Sequence, residues 1–484
     1  MKKKEIILLL IFLLLGFIFR LYRFSNPIAD WFSWRQADTS AVSRNFVKNG
    51  FDILHPTYDD ISNVQSGFDN PKGYRFVEFP IYNIFQAGLY KSVGVFSLEE
   101  WGRLVTIIFS LSGSAALFFL LLRRAKKEIA FFVLFFSLFL PYNIYYGRTI
   151  LPDTAMVSTF LIGLYFLDIW LDKFRKKQKK KYLYYLILSL IFIASSFLLK
   201  IYTVFYSLTL IALVFSVLKF KMLRRWELWL YSIFALIPLV AWRLYIQHYP
   251  EGIPVSAWLF NGNGIRFRPA FFRWIFYERI TKLIAGYFGI IPLLLGIKKT
   301  VEEKSEKLFL LSFGFSALLY VTVIATGNVQ HEYYQIVIMP VIALYMGFGA
   351  TYILGFLKRY VANQVALSIV FILIGLSLFF SWQQVKDYFN INNISVVIAG
   401  KAVDDLTPKN AKIVAPYNGD TTLLYYTNRK GWPSFEKPLP ELVEMGADYL
   451  VLVNPQPKDF DIGKIYKISS ATPDYILFDL HKKI

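Results

Sequence analysis

The sequence has no cysteine and only four histidines. Without thiols there is no disulfide framework, no thiol nucleophile and no thiolate metal site, and the redox compartment stays open. Acidic side chains are scarce as well: 33 Asp and Glu stand against 53 Lys and Arg, a formal net charge of +20. Charged residues of both signs make up only 18% of the 484 positions, less than a soluble domain of this length carries. Apolar residues fill the difference at 56%, with 47 Phe among them. This balance excludes a cytosolic enzyme, a disordered chain and a nucleic-acid binder that owes its charge to a basic fold. It describes a polytopic membrane protein with membrane lipids, and no nucleic acid, as its surroundings.

Lys2–Lys4 precede an apolar run from Ile6 to Phe19, as in a signal sequence. Arg20, Tyr22 and Arg23 stand where small residues would mark a cleavage site, so the segment reads as a retained first helix. Runs long enough for a hydrocarbon core of roughly 30 Å occur at 6–22, 101–122, 129–146, 153–171, 182–199, 201–218, 226–246, 283–297, 308–325, 335–357 and 363–382. A shorter run, 79–95, carries Asn83, Gln86 and Lys91. If it does not cross, the clusters Lys2–Lys4, Arg123–Lys127, Lys173–Lys181, Lys219–Arg225, Lys298–Lys307 and Lys358–Arg359 all face the cytoplasm, as the positive-inside bias requires. If it crosses, the seven basic residues of 173–181 face out. The expectation is therefore about eleven spans, with 79–95 lying in the outer interface.

This topology places loops 23–78 and 247–282 outside, together with the tail. It divides the chain into a transmembrane domain, 1–385, and a small extracytoplasmic α/β domain, 386–484. The tail has short β-like runs at Lys412–Pro416, Tyr449–Val453 and Tyr475–Phe478, and a helical stretch at Leu439–Met445. Asn418-Gly419 and Lys430-Gly431 read as turns.

The first outer loop carries Trp34-Arg35-Gln36-Ala37-Asp38-Thr39 and Ser43-Arg44-Asn45-Phe46, a short helix ended by Gly50. On such a helix Arg35 and Asp38 are three apart and can be neighbours, which a surface ion pair would also explain. Glu78, before Phe79-Pro80, is either a dipole partner for the helix that follows or a functional acid. Asp153, in Arg148-Thr149-Ile150-Leu151-Pro152-Asp153, is either an N-cap or a third acid on the same membrane face. Asp38, Glu78 and Asp153 together could hold a divalent cation such as Mg²⁺ or Mn²⁺, or supply a base. Positive partners share that face. Lys200 sits between two spans with almost no loop to solvate it. Arg266 and Arg268 lie among aromatic residues, and Gln330-His331-Glu332-Tyr333-Tyr334-Gln335 sits at the mouth of a span. Cations beside apolar walls suit a phosphate on a long hydrocarbon tail, and a carboxylate can take a proton from an incoming hydroxyl.

At these residues the chain resembles the GT-C membrane glycosyltransferases of the glycosyltransferase family 39 clan, which includes protein O-mannosyltransferases and the aminoarabinose transferase of lipid A. The resemblance runs in order through Trp34–Thr39, Arg44-Asn45-Phe46, Glu78-Phe79-Pro80, Gly102-Arg103-Leu104, Arg148–Asp153 and His331–Gln335, and on to Leu424-Tyr425-Tyr426 and Arg429-Lys430-Gly431-Trp432. It implies a sugar donor on polyprenyl phosphate, used at the outer face of the cell membrane, and transfer by a single inverting displacement. The acceptor could be a lipid, a glycan or a protein. The resemblance further implies that Asp38 is the first-loop acid, which acts as catalytic base or orients the acceptor and metal, and that Glu78 is a second acid near the same site. Asp153 matches the acidic position of the second outer loop, Lys200 a lipid-phosphate contact, and His331 and Tyr334 polar groups of the cavity. Many relatives have an Asp-Glu pair where this chain has Asp38-Thr39, which leaves open which carboxylate is the base. Two other classes share some of these features: a flippase for lipid-linked sugars, and a non-catalytic protein of cell-envelope glycan assembly.

Overall fold

The structure is a computed structural model that describes residues 1–176, 183–302 and 306–483. Most of the basic block 173–181, from Lys177 onward, and Lys304 of the 298–307 cluster lie outside the described residues. The chain divides into two compact units, one of residues 1–22, 104–242 and 256–387, the other of 23–103, 243–255 and 388–484.

The first unit is a bundle of apolar helices. Among the described residues six helices are long and apolar enough to cross a membrane: Leu98–Arg124, Pro152–Arg175, Ile201–Arg224, Trp226–Ile246, Glu332–Leu357 and Asn363–Leu406. Leu183–Leu199 and Lys307–Val323 are shorter apolar helices. Other expected spans are broken up: 129–146 divides at Leu140 into Lys127–Phe139 and Pro141–Tyr146, where proline starts the second piece. The stretch 283–297 divides between a π-helix, Arg273–Ile284, and the helix Ile290–Glu302. Helices Ile290–Glu302 and Met339–Leu357 approach through Gly296 and Gly349. A Cβ on either would overlap a backbone carbonyl of the opposite helix, that of Tyr345 or Pro292. Small residues at the contact are how apolar helices pack closely where lipid competes for their side chains.

The second unit is built on a five-stranded sheet, β1 Ile413–Val414, β2 Gly431–Trp432, β3 Tyr449–Val453, β4 Tyr466–Ala471 and β5 Tyr475–Lys483. The order is β2-β1-β3-β5-β4, with β1 parallel to β2 and β3 and the remaining pairs antiparallel. Alternation sends Ile413, Val451 and Leu477 into one core with Val396, Val403 and Leu424 from flanking helices. Val414, Leu450, Ile476 and Phe478 point the other way, against Trp432, Leu442 and Ile61. Three of the strands fall where the sequence reading put β-like runs. Lys430-Gly431 does not form the expected turn: Gly431 is in a strand, and a Cβ there would overlap the carbonyl of Ile413. Gly431→Ala should therefore lower the thermal stability of the protein by about 1–3 kcal/mol; an unchanged melting midpoint would mean β1 and β2 can separate at no cost.

The first loop packs on this sheet. Ile61 N–H donates to Gly431 O at 2.9 Å and Gly431 N–H to Asp59 O at 3.0 Å, which covers the edge of β2. Helix Ser33–Asn49 ends at Gly50, whose φ of +94° suits glycine. Beside it lies helix Ile81–Val93, whose 13 residues extend about 20 Å, too short for a hydrocarbon core. Its polar residues are used internally: Asn83 Nδ2 donates to Thr39 O at 2.7 Å, and Gln86 accepts from Ser43 Oγ at 2.7 Å.

Candidate active site

In the second unit, Asp38 is buried (1% exposed) midway along helix Ser33–Asn49. Its Oδ2 accepts from Arg75 Nη2 at 2.6 Å and its Oδ1 from the Thr421 hydroxyl at 2.7 Å. Thr421 comes from the tail; the neighbouring Thr422 hydroxyl reaches Ser33 Oγ at 3.0 Å, so the helix and the tail are bound side by side. Arg75 lies over the Tyr58 ring, 4.8 Å from its centroid, and Tyr58 in turn donates to Asp60 at 3.3 Å. The Arg75 side chain is buried, and its Nε and Nη1 have no hydrogen-bond partner among the described residues. Asp38 thus faces one cation and one hydroxyl in a site that excludes water, where both interactions are strong.

Arg35 turns to Glu78, with Nη2 at 2.7 and 3.0 Å from the two carboxylate oxygens. The sequence spacing allowed either partner, and Arg75, only three residues before Glu78, takes the place expected for Arg35. Arg44 is a stitch between loop and tail: it pairs with Asp59, donates to Tyr425 O at 2.8 Å and covers the Tyr425 ring. Helix Ile81–Val93 starts after Pro80, so Glu78 stands outside its first turn.

Asp60 is fully buried beside this pair, and burial pushes its carboxyl up to about 6 from an ordinary 3.8, with the Ser62 contacts opposing the rise. The folded chain keeps a proton there that the unfolded chain gives up between about pH 4 and pH 6. Stability therefore falls as pH rises through that window, by roughly 3 kcal/mol for this group. Glu436, which burial raises to about 7, extends the fall upward. The melting midpoint should drop between pH 4.5 and 7.5, and Asp60→Asn, which keeps an acceptor for Ser62 N–H, should flatten the drop. Equal slopes in the two proteins would remove Asp60 from the account.

In the first unit, Asp153 is fully buried in the opening turn of helix Pro152–Arg175. It is not the N-cap, a position held by Leu151. Both of its oxygens accept from Lys200 Nζ, at 2.6 and 2.7 Å. Lys200 joins helix Leu183–Leu199 to the 3₁₀ turn Ile201–Tyr206. The rings of Tyr202, Tyr333 and Tyr334 stand 5.5, 5.8 and 6.0 Å from its ammonium, so one cation is walled by three phenols. His331 stacks on Tyr333 and Tyr334, and burial lowers its imidazole to about 4, so it is neutral at pH 7. Glu332, in the same motif, pairs with Arg279 at 2.6 Å, and Arg279 also holds Val329 O at 2.8 Å over the Trp274 ring.

Three further arginines were expected to bind substrate, Arg148, Arg266 and Arg268; the first two contact backbone carbonyls and the third is exposed. Arg148, 1% exposed, donates to Tyr22 O. Arg266 donates to Val323 O at 3.1 Å. Arg268 is exposed in its loop. The sequence reading missed Arg75, Thr421 and Arg279. Arg75 had a signal in its closeness to Glu78; Thr421, one hydroxyl in a polar tail, had none.

Asp38, Glu78 and Asp153 are each ion-paired, with Arg75, Arg35 and Lys200 in turn, and among the described residues no three His, Asp or Glu side chains are grouped to hold a metal ion.

No protein-family model matches the chain, and no curated protein sequence does. Solved structures do. ArnT from Cupriavidus metallidurans in the apo state superposes with a TM-score of 0.65 at 12% identity, covering 97% of both chains. The same protein bound to undecaprenyl phosphate gives 0.65 at 12%, covering 99% of this chain and 98% of that one. The oligosaccharyltransferase of Archaeoglobus fulgidus, in complex with zinc and sulfate, gives 0.59 at 12% identity over 91% of this chain and 67% of its own. At this identity the likeness establishes the fold: a polytopic, mostly helical GT-C architecture with a small C-terminal sheet domain, as expected from the sequence.

Proposed function

We propose that the protein is a membrane glycosyltransferase that moves a sugar from a polyprenyl-phosphate donor to an acceptor hydroxyl at the outer face of the cell membrane. The observation that carries this reading is the Asp38 carboxylate, buried in a water-excluding site with a hydroxyl hydrogen bonded to it at 2.7 Å. An acceptor hydroxyl would take the place of Thr421 Oγ1 and donate to Asp38 Oδ1. As the acceptor oxygen bonds to the anomeric carbon, its proton passes to Asp38. The bond from that carbon to the phosphate oxygen breaks on the opposite face, and lipid phosphate leaves with the electron pair. One displacement of this kind inverts the anomeric centre. Arg75 holds the other oxygen, Oδ2, of the Asp38 carboxylate, and Arg35 with Glu78 forms the next ion pair of the same helix.

For the phosphate, the reading assigns Lys200, a cation in an aromatic wall. Likeness of fold to a protein solved with undecaprenyl phosphate supports this donor class. A divalent cation at these acids would have to displace the basic partner each now holds. The test is donor turnover. Purified protein in nanodiscs receives a panel of radiolabelled polyprenyl-phosphate sugars, with Mg²⁺, Mn²⁺ or chelator. Slow release of free sugar from one donor is expected. Tight donor binding with no turnover, in the presence or absence of metal, would favour a flippase instead. Orientation is tested separately by tags at Lys176 and Asn418, which should be accessible from opposite sides of the membrane.

A further inference from the structure

Helix Ser33–Asn49 carries more than Asp38. Asn45 and Asn49 follow it by seven and eleven residues, so at 100° per residue both lie within about 20° of its direction, roughly 10 and 16 Å along the axis. There they line a cavity of about 510 Å³, together with Asp52, Tyr74, Lys72 and Lys430. The wall is firm. Tyr74 is buried and packs against Phe76 and Tyr249, with ring centroids 5.4 and 5.3 Å away. Asp52 is fixed by His55, whose Nδ1 lies 3.0 Å from its Oδ2. The rim is held by Lys430 Nζ, which donates to Lys72 O at 2.8 Å. Asn45 Nδ2 donates to Thr57 O at 3.0 Å while its Oδ1 accepts from no described residue, and the Asn49 amide has no hydrogen bond at all among the described residues.

We propose that this cavity binds a saccharide, the body of a glycan acceptor whose reactive hydroxyl reaches Asp38. Two amides and a carboxylate on one wall offer both donors and acceptors to a sugar's hydroxyls, and Tyr74, with Lys72 Nζ 5.4 Å over its ring, adds an aromatic edge beside them. A bare phosphate is a poorer match, because the Asp52 carboxylate would face it. Lys72 and Lys430 allow the sugar to carry an acidic group. The acceptor role rests on the proposed transferase function; the binding of sugar does not.

The experiment uses the full-length chain in nanodiscs, titrated with maltotriose, cellotriose, chitotriose and digalacturonate by saturation-transfer NMR, with inorganic phosphate as a competitor. At least one saccharide should bind. Asn49→Trp, a substitution at an exposed helix end that fills the cavity, should weaken it at least tenfold. Lys72→Ala, also exposed, should weaken digalacturonate more than the neutral sugars. Acceptor-independent release of sugar from the donor should be unchanged in both variants. Absence of binding by all four saccharides, binding indifferent to Asn49→Trp, or displacement by phosphate would each overturn the assignment. Saccharide binding in a protein that turns over no donor would refute the transferase reading and leave the cavity assigned.

Discussion

Asp38→Asn is expected to lower sugar transfer by roughly 10²–10⁴-fold, the range of a lost general base. The same change also strips the partner from a buried arginine, so activity alone cannot decide the role. Among the described residues Arg75 Nε and Nη1 have no hydrogen-bond partner, and its ion pair there is with Asp38 Oδ2. Removing one member of a buried pair costs about 3–5 kcal/mol, whereas replacing both with apolar groups of similar volume is near neutral. Three proteins separate the two contributions. Asp38→Asn and Arg75→Met should each be destabilised and inactive. Asp38→Leu combined with Arg75→Met should regain most of the melting temperature and remain inactive. Recovery of transfer in the double variant would show that the pair only holds the helix in place. Thr421→Val adds a finer test. If an acceptor hydroxyl displaces Thr421, transfer should fall only a few-fold, because the group lost is the one the substrate replaces. If Thr421 instead orients the carboxylate throughout, transfer should fall with Asp38→Asn.

The contrast between Arg35 and Arg75 shows how far the sequence could be read. Spacing along one helix allowed Arg35 to pair with Asp38; in the structure the Arg35 guanidinium holds Glu78, and an arginine from the following loop, Arg75, holds Asp38. Contacts within an element follow from periodicity, while contacts that require two loops to meet do not. The same limit appears in the tail. β1, β3 and β5 are apolar runs flanked by turn residues and are legible as such. β2 is two residues long, and Gly431 there is a matter of close approach to Ile413, which a turn-forming dipeptide conceals. Thr421 and Ile61 reach their partners across most of the chain, and neither carries a local mark. Composition and charge, which are averages, conveyed the architecture well. Lys200 was legible for a different reason: a lysine with no loop to solvate it needs a counter-charge, and Asp153 supplies it.

That counter-charge leads to the second large effect. Lys200 Nζ bonds both oxygens of Asp153, so in the resting protein its charge is already committed. A donor phosphate arriving between the three phenols would share the ammonium, and departure of lipid phosphate would return it to Asp153. Lys200→Met should then weaken undecaprenyl phosphate binding by about 10–150-fold, the equivalent of a charge-assisted hydrogen bond of roughly 1.5–3 kcal/mol. Asp153→Asn should act in the opposite direction on binding: with its competitor neutral, Lys200 holds phosphate more tightly, about tenfold by the same reasoning. Turnover nevertheless falls, because the leaving lipid phosphate is released more slowly. The discriminating measurement is lipid-phosphate affinity in the two single variants, read by native mass spectrometry or quenching of Trp fluorescence. Opposite shifts require a cation shared between Asp153 and the ligand. Parallel losses in both, repaired in stability by Lys200→Met with Asp153→Leu, would reduce the pair to a link between helices Pro152–Arg175 and Leu183–Leu199, and the phosphate would have to be held by other residues.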